Sequence, residues 1–241
     1  YEILNEPWAG DIFEDPLLLI PGVADRENLQ PFVDAIAPLI RKADSNRTIY
    51  WESVTYDDFI PVGFNTTPAS LPNTALSFHF YNPPQLLPAD VQIASRLKDA
   101  ERLHTGAMLT EFDLCDSGGN GASGFEETVD FADAQALSWI GWEYKSFVRI
   151  TGWCGVGLFN ETDNSPNLPF QKVVARTYPH AIAGTASNFS FNSSTAHFHM
   201  TYSPTTTTPH NLPTEIYVNL DFYYPKGVQV HLQPSTASWN L

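Results

Sequence analysis

Cysteine is nearly absent: Cys115 and Cys154 are the only two among 241 residues. That excludes a disulfide-dense scaffold and any Cys-x-x-Cys metal spacing. Basic residues are also scarce, 12 lysines and arginines against 27 aspartates and glutamates, for a net charge of −15. A surface of that sign repels phosphate backbones, so nucleic acid is not an expected partner. Long apolar runs are missing too. The strongest, Pro16-Leu-Leu-Leu-Ile-Pro21, falls far short of the roughly 20 residues a membrane span needs. Neither an initiator methionine nor a signal peptide precedes the strand-like run at Tyr1, and the sequence reads as cut from something longer.

What is present is a folding composition, 43% hydrophobic and 13% aromatic, enough for a sizeable core and too apolar for disorder. Five Asn-x-Ser/Thr sequons occur, at Asn46, Asn65, Asn160, Asn188 and Asn192. With the acidic balance, they point to a secreted or lumenal protein. In that setting Cys115 and Cys154 are a disulfide candidate, two separate buried thiols being the alternative.

Along the chain, short apolar strands alternate with amphipathic helices as in a parallel α/β arrangement. Tyr1–Asn5, Thr48–Ser53, Leu76–Phe80, Ala107–Thr110 and Ile140–Tyr144 read as strands. Pro31–Lys42 reads as a helix with Phe32, Ala35, Ile36, Leu39 and Ile40 on its apolar face, and Ala89–Leu103 as another with Val91, Ala94, Leu97 and Ala100. Phe125–Trp139, opening with Glu126 and Glu127, reads as a third. The region from Ser146 to Pro169 reads as a loop. Residues 186–241 change character, becoming rich in Thr, Ser, Asn and Pro, with period-two alternation at Phe189–Phe191, His197–Tyr202, Glu215–Leu220 and Gly227–Leu232. This predicts a small antiparallel β-sandwich domain (186–241) behind an α/β domain (1–185).

Two glutamates stand at the carboxyl ends of strands, Glu6 in Asn5-Glu6-Pro7 and Glu111 in Thr110-Glu111-Phe112, 105 residues apart. In a parallel barrel, strand ends converge on the rim where active sites are built. A carboxyl pair held about 5–5.5 Å apart can divide acid and nucleophile duties in glycoside hydrolysis with retention. Trp8 and Trp51 read as packing near the rim, and Glu52, Asp113 and Asp116 as supporting or loop acids. His197, His199, His210 and His231 show no coherent ligand spacing, so no metal is expected, and hydrolysis by a carboxyl pair calls for no organic cofactor.

These motifs resemble the family 5 glycoside hydrolases, a clan of retaining (β/α)8 TIM barrels. Within that family the chain looks closest to endoglycoceramidases. Carrying the resemblance are Glu2–Asp11, Phe78-His-Phe-Tyr81, Trp142-Glu-Tyr-Lys145, Arg176-Thr-Tyr-Pro179, Ala181–Gly184 and Pro213–Val218. The resemblance implies that Glu6 is the acid/base and Glu111 the nucleophile. Asn5 would then bond the sugar 2-hydroxyl, and His79 and Tyr81 would point into the site. Trp142 would form the floor beneath the sugar, with Lys145 and its neighbour Glu143 beside the glycan. It also implies that this chain holds strands four to eight of the barrel plus the terminal β domain, with an N-terminal portion of the same enzyme as partner. Hydrolysis of the glycan–ceramide linkage is the activity implied, with peripheral contact to a lipid surface. The alternatives are a related β-glucosidase acting on glucosylceramide or a steryl glucoside, and an inactive structural or lectin-like fragment.

Overall fold

The computed structural model describes residues 1–54, 60–82, 85–112, 122–145, 157–205, 212–234 and 237–241. By their contacts they divide into two units, Tyr1–Gln171 and Lys172–Leu241. In the first, β1 (Ile49–Glu52), β2 (Thr74–Phe80), β3 (Gly106–Phe112) and β4 (Ser138–Trp139) form one sheet in the order β1-β2-β3-β4. Every pairing is parallel. Strands adjacent in sequence are adjacent in the sheet, and a helix lies between the N-terminal segment Tyr1–Asn5 and β1, between β2 and β3, and between β3 and β4. The helices are α1 (Gln30–Ala43), α2 (Ala89–Arg102) and α3 (Ala122–Ala134). This is the wall of a parallel barrel.

The segment Tyr1–Asn5 forms less than a strand. It contributes one parallel bridge, Glu2 to Tyr50, with the Ile3 amide donating to Tyr50 O at 3.1 Å and the Tyr50 amide to Tyr1 O at 2.6 Å. Glu6 then turns into the left-handed region at φ 44°, which ends extended pairing.

Two helices present a different face from the one read off hydrophobic spacing. On α1, Gln30, Val33 and Ala37 are buried, whereas Phe32 and Leu39 are exposed. On α2 the inner face is Gln92, Ile93, Arg96, Asp99 and Ala100, and Val91 is exposed. The reason is polar. Asp99 accepts from the Val62 amide at 3.2 Å, and Arg102 donates to Val62 O and Phe64 O at 2.8 and 2.9 Å. Gln30 accepts from the Asn65 amide at 3.1 Å. These side chains satisfy backbone groups of the 62–65 segment, in which Val62 and Phe64 are buried. Asp25, fully buried, does the same for the Val54 and Gly63 amides at 2.9 and 2.8 Å. Gly63 must be glycine, because a β-carbon there would lie 1.9 Å from Gly22 O.

Helix α3 starts earlier and stops sooner than Phe125–Trp139. Ala136 adopts φ 51°, and the Ala136 and Leu137 amides bond Asp133 O and Ala132 O, both at 2.9 Å. This is a Schellman ending that sends the chain straight into β4. Strand β4 is accordingly Ser138–Trp139 rather than Ile140–Tyr144. The same ending, built on His104 at φ 52°, leads α2 into β3.

The sheet's helix-facing side is apolar. Trp51, Leu76, Val33, Phe64 and Leu103 belong to one buried cluster, with Trp51 and Phe64 packed edge to face at 4.5 Å. Trp51 is thus core, while Trp8 is left 59% exposed. Farther along, Phe112 stacks on Phe125 at 5.0 Å and meets Trp139 edge-on at 5.8 Å.

In the second unit, β5 (Tyr178–Ala181) pairs antiparallel with β8 (Glu215–Tyr217), and β6 (Gly184–Asn192) with β7 (His197–Pro204). Gly227–Leu232 forms no strand. Residues 172–185, read from sequence with the α/β domain, associate with this unit. Arg176 lies 5.6 Å from the Phe191 ring, Thr177 bonds the Tyr224 hydroxyl at 2.7 Å, and Tyr223 donates to Lys172 O at 2.6 Å. A short helix, α4 (Leu168–Val174), occupies the end of the stretch read as a loop. Among the described residues no helix is long and apolar enough to cross a membrane.

Candidate active site

Four sequence-predicted residues meet at the carboxyl ends of the strands. Pairing between β2 and β3 slips between Phe78 and His79, so Phe78 pairs with Leu109 but His79 pairs with Glu111. Thr110 is the additional residue on β3. The slip sets His79 and Glu111 side by side.

His79 is the hub. Its side chain is 1% exposed, with Nδ1 3.0 Å from Glu6 Oε1 and Nε2 3.7 Å from Glu111 Oε2. The Tyr81 hydroxyl donates to Glu111 Oε1. Carboxylate oxygens of Glu6 and Glu111 come within 4.8 Å of one another. The two acids differ in setting: the Glu6 side chain is 41% exposed and that of Glu111 18%. Burial pushes the Glu111 carboxyl above the usual carboxylate range, opposed by the Tyr81 hydroxyl and by His79, while the nearby Glu6 adds to the rise.

A fifth group belongs here that sequence reading placed only as a supporting or loop acid. Glu52, at the end of β1, is 4% exposed. Its Oε2 accepts from the Glu6 amide at 2.9 Å, and its Oε1 stands 3.8 Å from His79 Nδ1. Burial raises its pKa to about 8, against the bond from the Glu6 amide. The available signal was a carboxylate closing the otherwise apolar and aromatic Ile49-Tyr-Trp-Glu52.

The other predicted residues lie nearby in the chain but outside this network. Asn5 is exposed beside Glu6. The Trp142 amide donates to Phe112 O at 2.8 Å, and the residue is left 44% exposed. Lys145 donates to Asn164 Oδ1. Cys115, Cys154, Asp113 and Asp116 fall outside the described residues. All five sequon asparagines are exposed. Glu2, Glu52 and His79, or Glu6, His79 and Glu111, bring three potential ligand atoms within 4.8 Å. In the second set His79 and Glu111 already bond Glu6 and Tyr81, so the arrangement is that of a hydrogen-bonded carboxyl pair.

The chain has known relatives in sequence and in fold. The sequence pattern described as "Cellulase (glycosyl hydrolase family 5)" matches residues 1–148, and that of the "Glycoside hydrolase family 5 C-terminal domain" matches residues 176–241. An endoglycoceramidase of the jellyfish Cyanea nozakii is 35% identical across 99% of this chain and 48% of its own length. One from Hydra vulgaris is 35% identical across 98% and 44%. Among solved structures, endo-glycoceramidase II from Rhodococcus sp. in complex with ganglioside GM3 superposes with a TM-score of 0.71 at 18% identity, covering 93% of this chain and 50% of that one. The chain therefore spans about half the length of the curated relatives it matches, and its fold is that of the endoglycoceramidase barrel with its C-terminal domain.

Proposed function

This chain belongs to glycoside hydrolase family 5, and from that membership we propose that it carries the catalytic carboxyl pair of a retaining β-glycosidase that cuts the glycan–ceramide linkage of glycosphingolipids. The observation that carries the reading is the placement of Glu6 and Glu111 about His79 with carboxylate oxygens within 4.8 Å of one another, well short of the spacing that admits an inverting water. Similarity to two endoglycoceramidases over nearly the whole chain supports the substrate class.

In this scheme Glu111 attacks the anomeric carbon as Glu6 gives its proton to the departing ceramide oxygen. The resulting glycosyl ester is opened by a water that Glu6 deprotonates, restoring both groups. Asn5 bonds the sugar 2-hydroxyl, and Trp142 supplies the floor with Lys145 at its edge. The four-stranded sheet is completed into a barrel by the part of the longer enzyme that this chain does not span. The five exposed sequons support a secreted or lumenal glycoprotein. Treatment of the natively expressed protein with an N-glycan-removing amidase should lower its apparent mass; an unchanged mass would refute glycosylation.

The test of function is incubation of the full-length enzyme with a ganglioside, glucosylceramide and a cello-oligosaccharide. Release of the intact oligosaccharide from the ganglioside supports the proposal. Glucose from glucosylceramide alone would replace it with a β-glucosidase reading.

Tyr81→Phe isolates one electrostatic contribution. The hydroxyl lowers the Glu111 pKa, so its removal moves that pKa up and shrinks the ionised, attacking fraction. The acid limb of kcat/KM should move to higher pH, and the rate below neutrality should fall about 10-fold or more, the worth of a hydrogen bond to a charged group. An acid limb that stays in place would count against Tyr81 acting on Glu111.

A further inference from the structure

Glu6 has a conformation that needs support. It is a non-glycine residue at φ 44° with a side chain 41% exposed, yet its carboxyl must meet the leaving oxygen within a few tenths of an ångström. What fixes it is visible: its amide is bonded to Glu52 at 2.9 Å and its carboxyl to His79 at 3.0 Å. Both anchors are buried, and they lean on one another, since Glu52 Oε1 lies 3.8 Å from the same His79 nitrogen.

We propose that Glu52 is the positioning residue for the acid/base: its buried carboxyl holds the Glu6 amide, and with it the left-handed turn that aims the Glu6 side chain at the scissile bond. The role rests on the proposed assignment of Glu6 as acid/base. Glu52 need not touch substrate, because it acts through the Glu6 backbone and through His79.

Charge explains why a carboxylic acid serves. The charged or titratable groups around Glu52 are Glu2 and Glu6 from the N-terminal segment, His79 from β2, Glu111 from β3 and Arg96 from α2, which shares a small cavity with Glu52, His79 and Gln92. Arg96 is paired with Asp99 at 3.3 Å. An ionised Glu52 would place a further negative charge against the Glu6–Glu111 pair. Burial instead raises its pKa to about 8, so at neutral pH the group is mostly an uncharged acid whose carbonyl oxygen still accepts from the Glu6 amide. As pH climbs through 8, it ionises and perturbs both catalytic carboxyls.

Two measurements on the full-length protein test this. With glutamate amides labelled by nitrogen-15, the Glu6 amide resonance should titrate with a midpoint near 8 and stop doing so in Glu52→Gln. This readout requires no activity, so it stands apart from the proposed substrate. A Glu6 amide that does not titrate near 8 in the wild type, or titrates identically in Glu52→Gln, overturns the inference. In turnover, judged only as variant over wild type, Glu52→Ala should lower kcat about 10- to 100-fold with KM nearly constant, the cost of a misplaced catalytic group. Glu52→Gln, which keeps the accepting oxygen, should recover most of that loss and move the alkaline limb. Equal damage in both variants would overturn positioning through the amide, as would an Ala variant with wild-type kcat. Absence of turnover in the wild type would instead refute the glycosidase reading.

Discussion

Glu111→Ala in the full-length enzyme is expected to reduce kcat by about four orders of magnitude or more, the scale seen when a covalent nucleophile is removed. Among the described residues no other group is positioned to take its place. Glu6 is on the leaving-group side in the proposed scheme, Glu52 is buried at 4% exposure, and Tyr81 is committed to the position Glu111 occupies. The deletion also opens a cavity at the face from which Glu111 attacks. A small anion such as azide should enter it, attack the same carbon and restore part of the rate, giving a glycosyl azide of inverted configuration. Rescue with that stereochemistry identifies the missing group as the nucleophile. Activity near the wild-type level in Glu111→Ala would refute the assignment.

Glu6→Ala should behave differently, and the difference is diagnostic. Its proton matters most for a poor leaving group, so turnover of a ceramide-linked glycan, whose departing group is an alkoxide, should drop by about 10²–10⁴-fold. A dinitrophenyl glycoside departs without a proton, so its first step should be nearly unimpaired. The glycosyl-enzyme then accumulates, because water lacks its base, and an initial burst of phenolate should appear before slow turnover. Equal losses for both substrates, with no burst, would remove Glu6 from the acid/base role. Glu6→Ala keeps the residue-6 amide, so the bond to Glu52 survives and the experiment probes the carboxyl alone.

How far the residues foretold the structure varies with what each had to satisfy. The parallel order, three main helices and the placing of Glu6 and Glu111 at strand ends were readable, because apolar strands of fixed polarity in a right-handed βαβ series admit few arrangements; His79 and Tyr81 were expected beside them only from the family resemblance. The helix faces were not. Spacing of Phe32, Leu39 and Val91 suggested burial, yet these are exposed while Gln30, Arg96 and Asp99 are interior. A hydrophobic period cannot register a helix side whose task is to satisfy loop amides. Glu52 was read only as a supporting or loop acid for a related reason. A carboxylate closing Ile49–Glu52 does not specify the backbone amide, 46 residues away, that it bonds. Helix α3 was read too long because its stop signal is an alanine at positive φ rather than a glycine.

The slip between β2 and β3 has a consequence for how this site tolerates change in length. Leu109 and Glu111 are two apart, so an unbroken ladder would give them the same face and direct the glutamate toward the side that Leu109 fills with apolar packing. Thr110 is the residue by which one strand serves both demands, apolar behind and ionisable in front. Substitutions along β3 alter chemistry or packing one position at a time. Deleting Thr110 would leave Leu109 and Glu111 adjacent, and an unbroken ladder would then keep them on opposite sides, across from Phe78 and His79, so the strand beyond stays in phase when the bulge residue is lost.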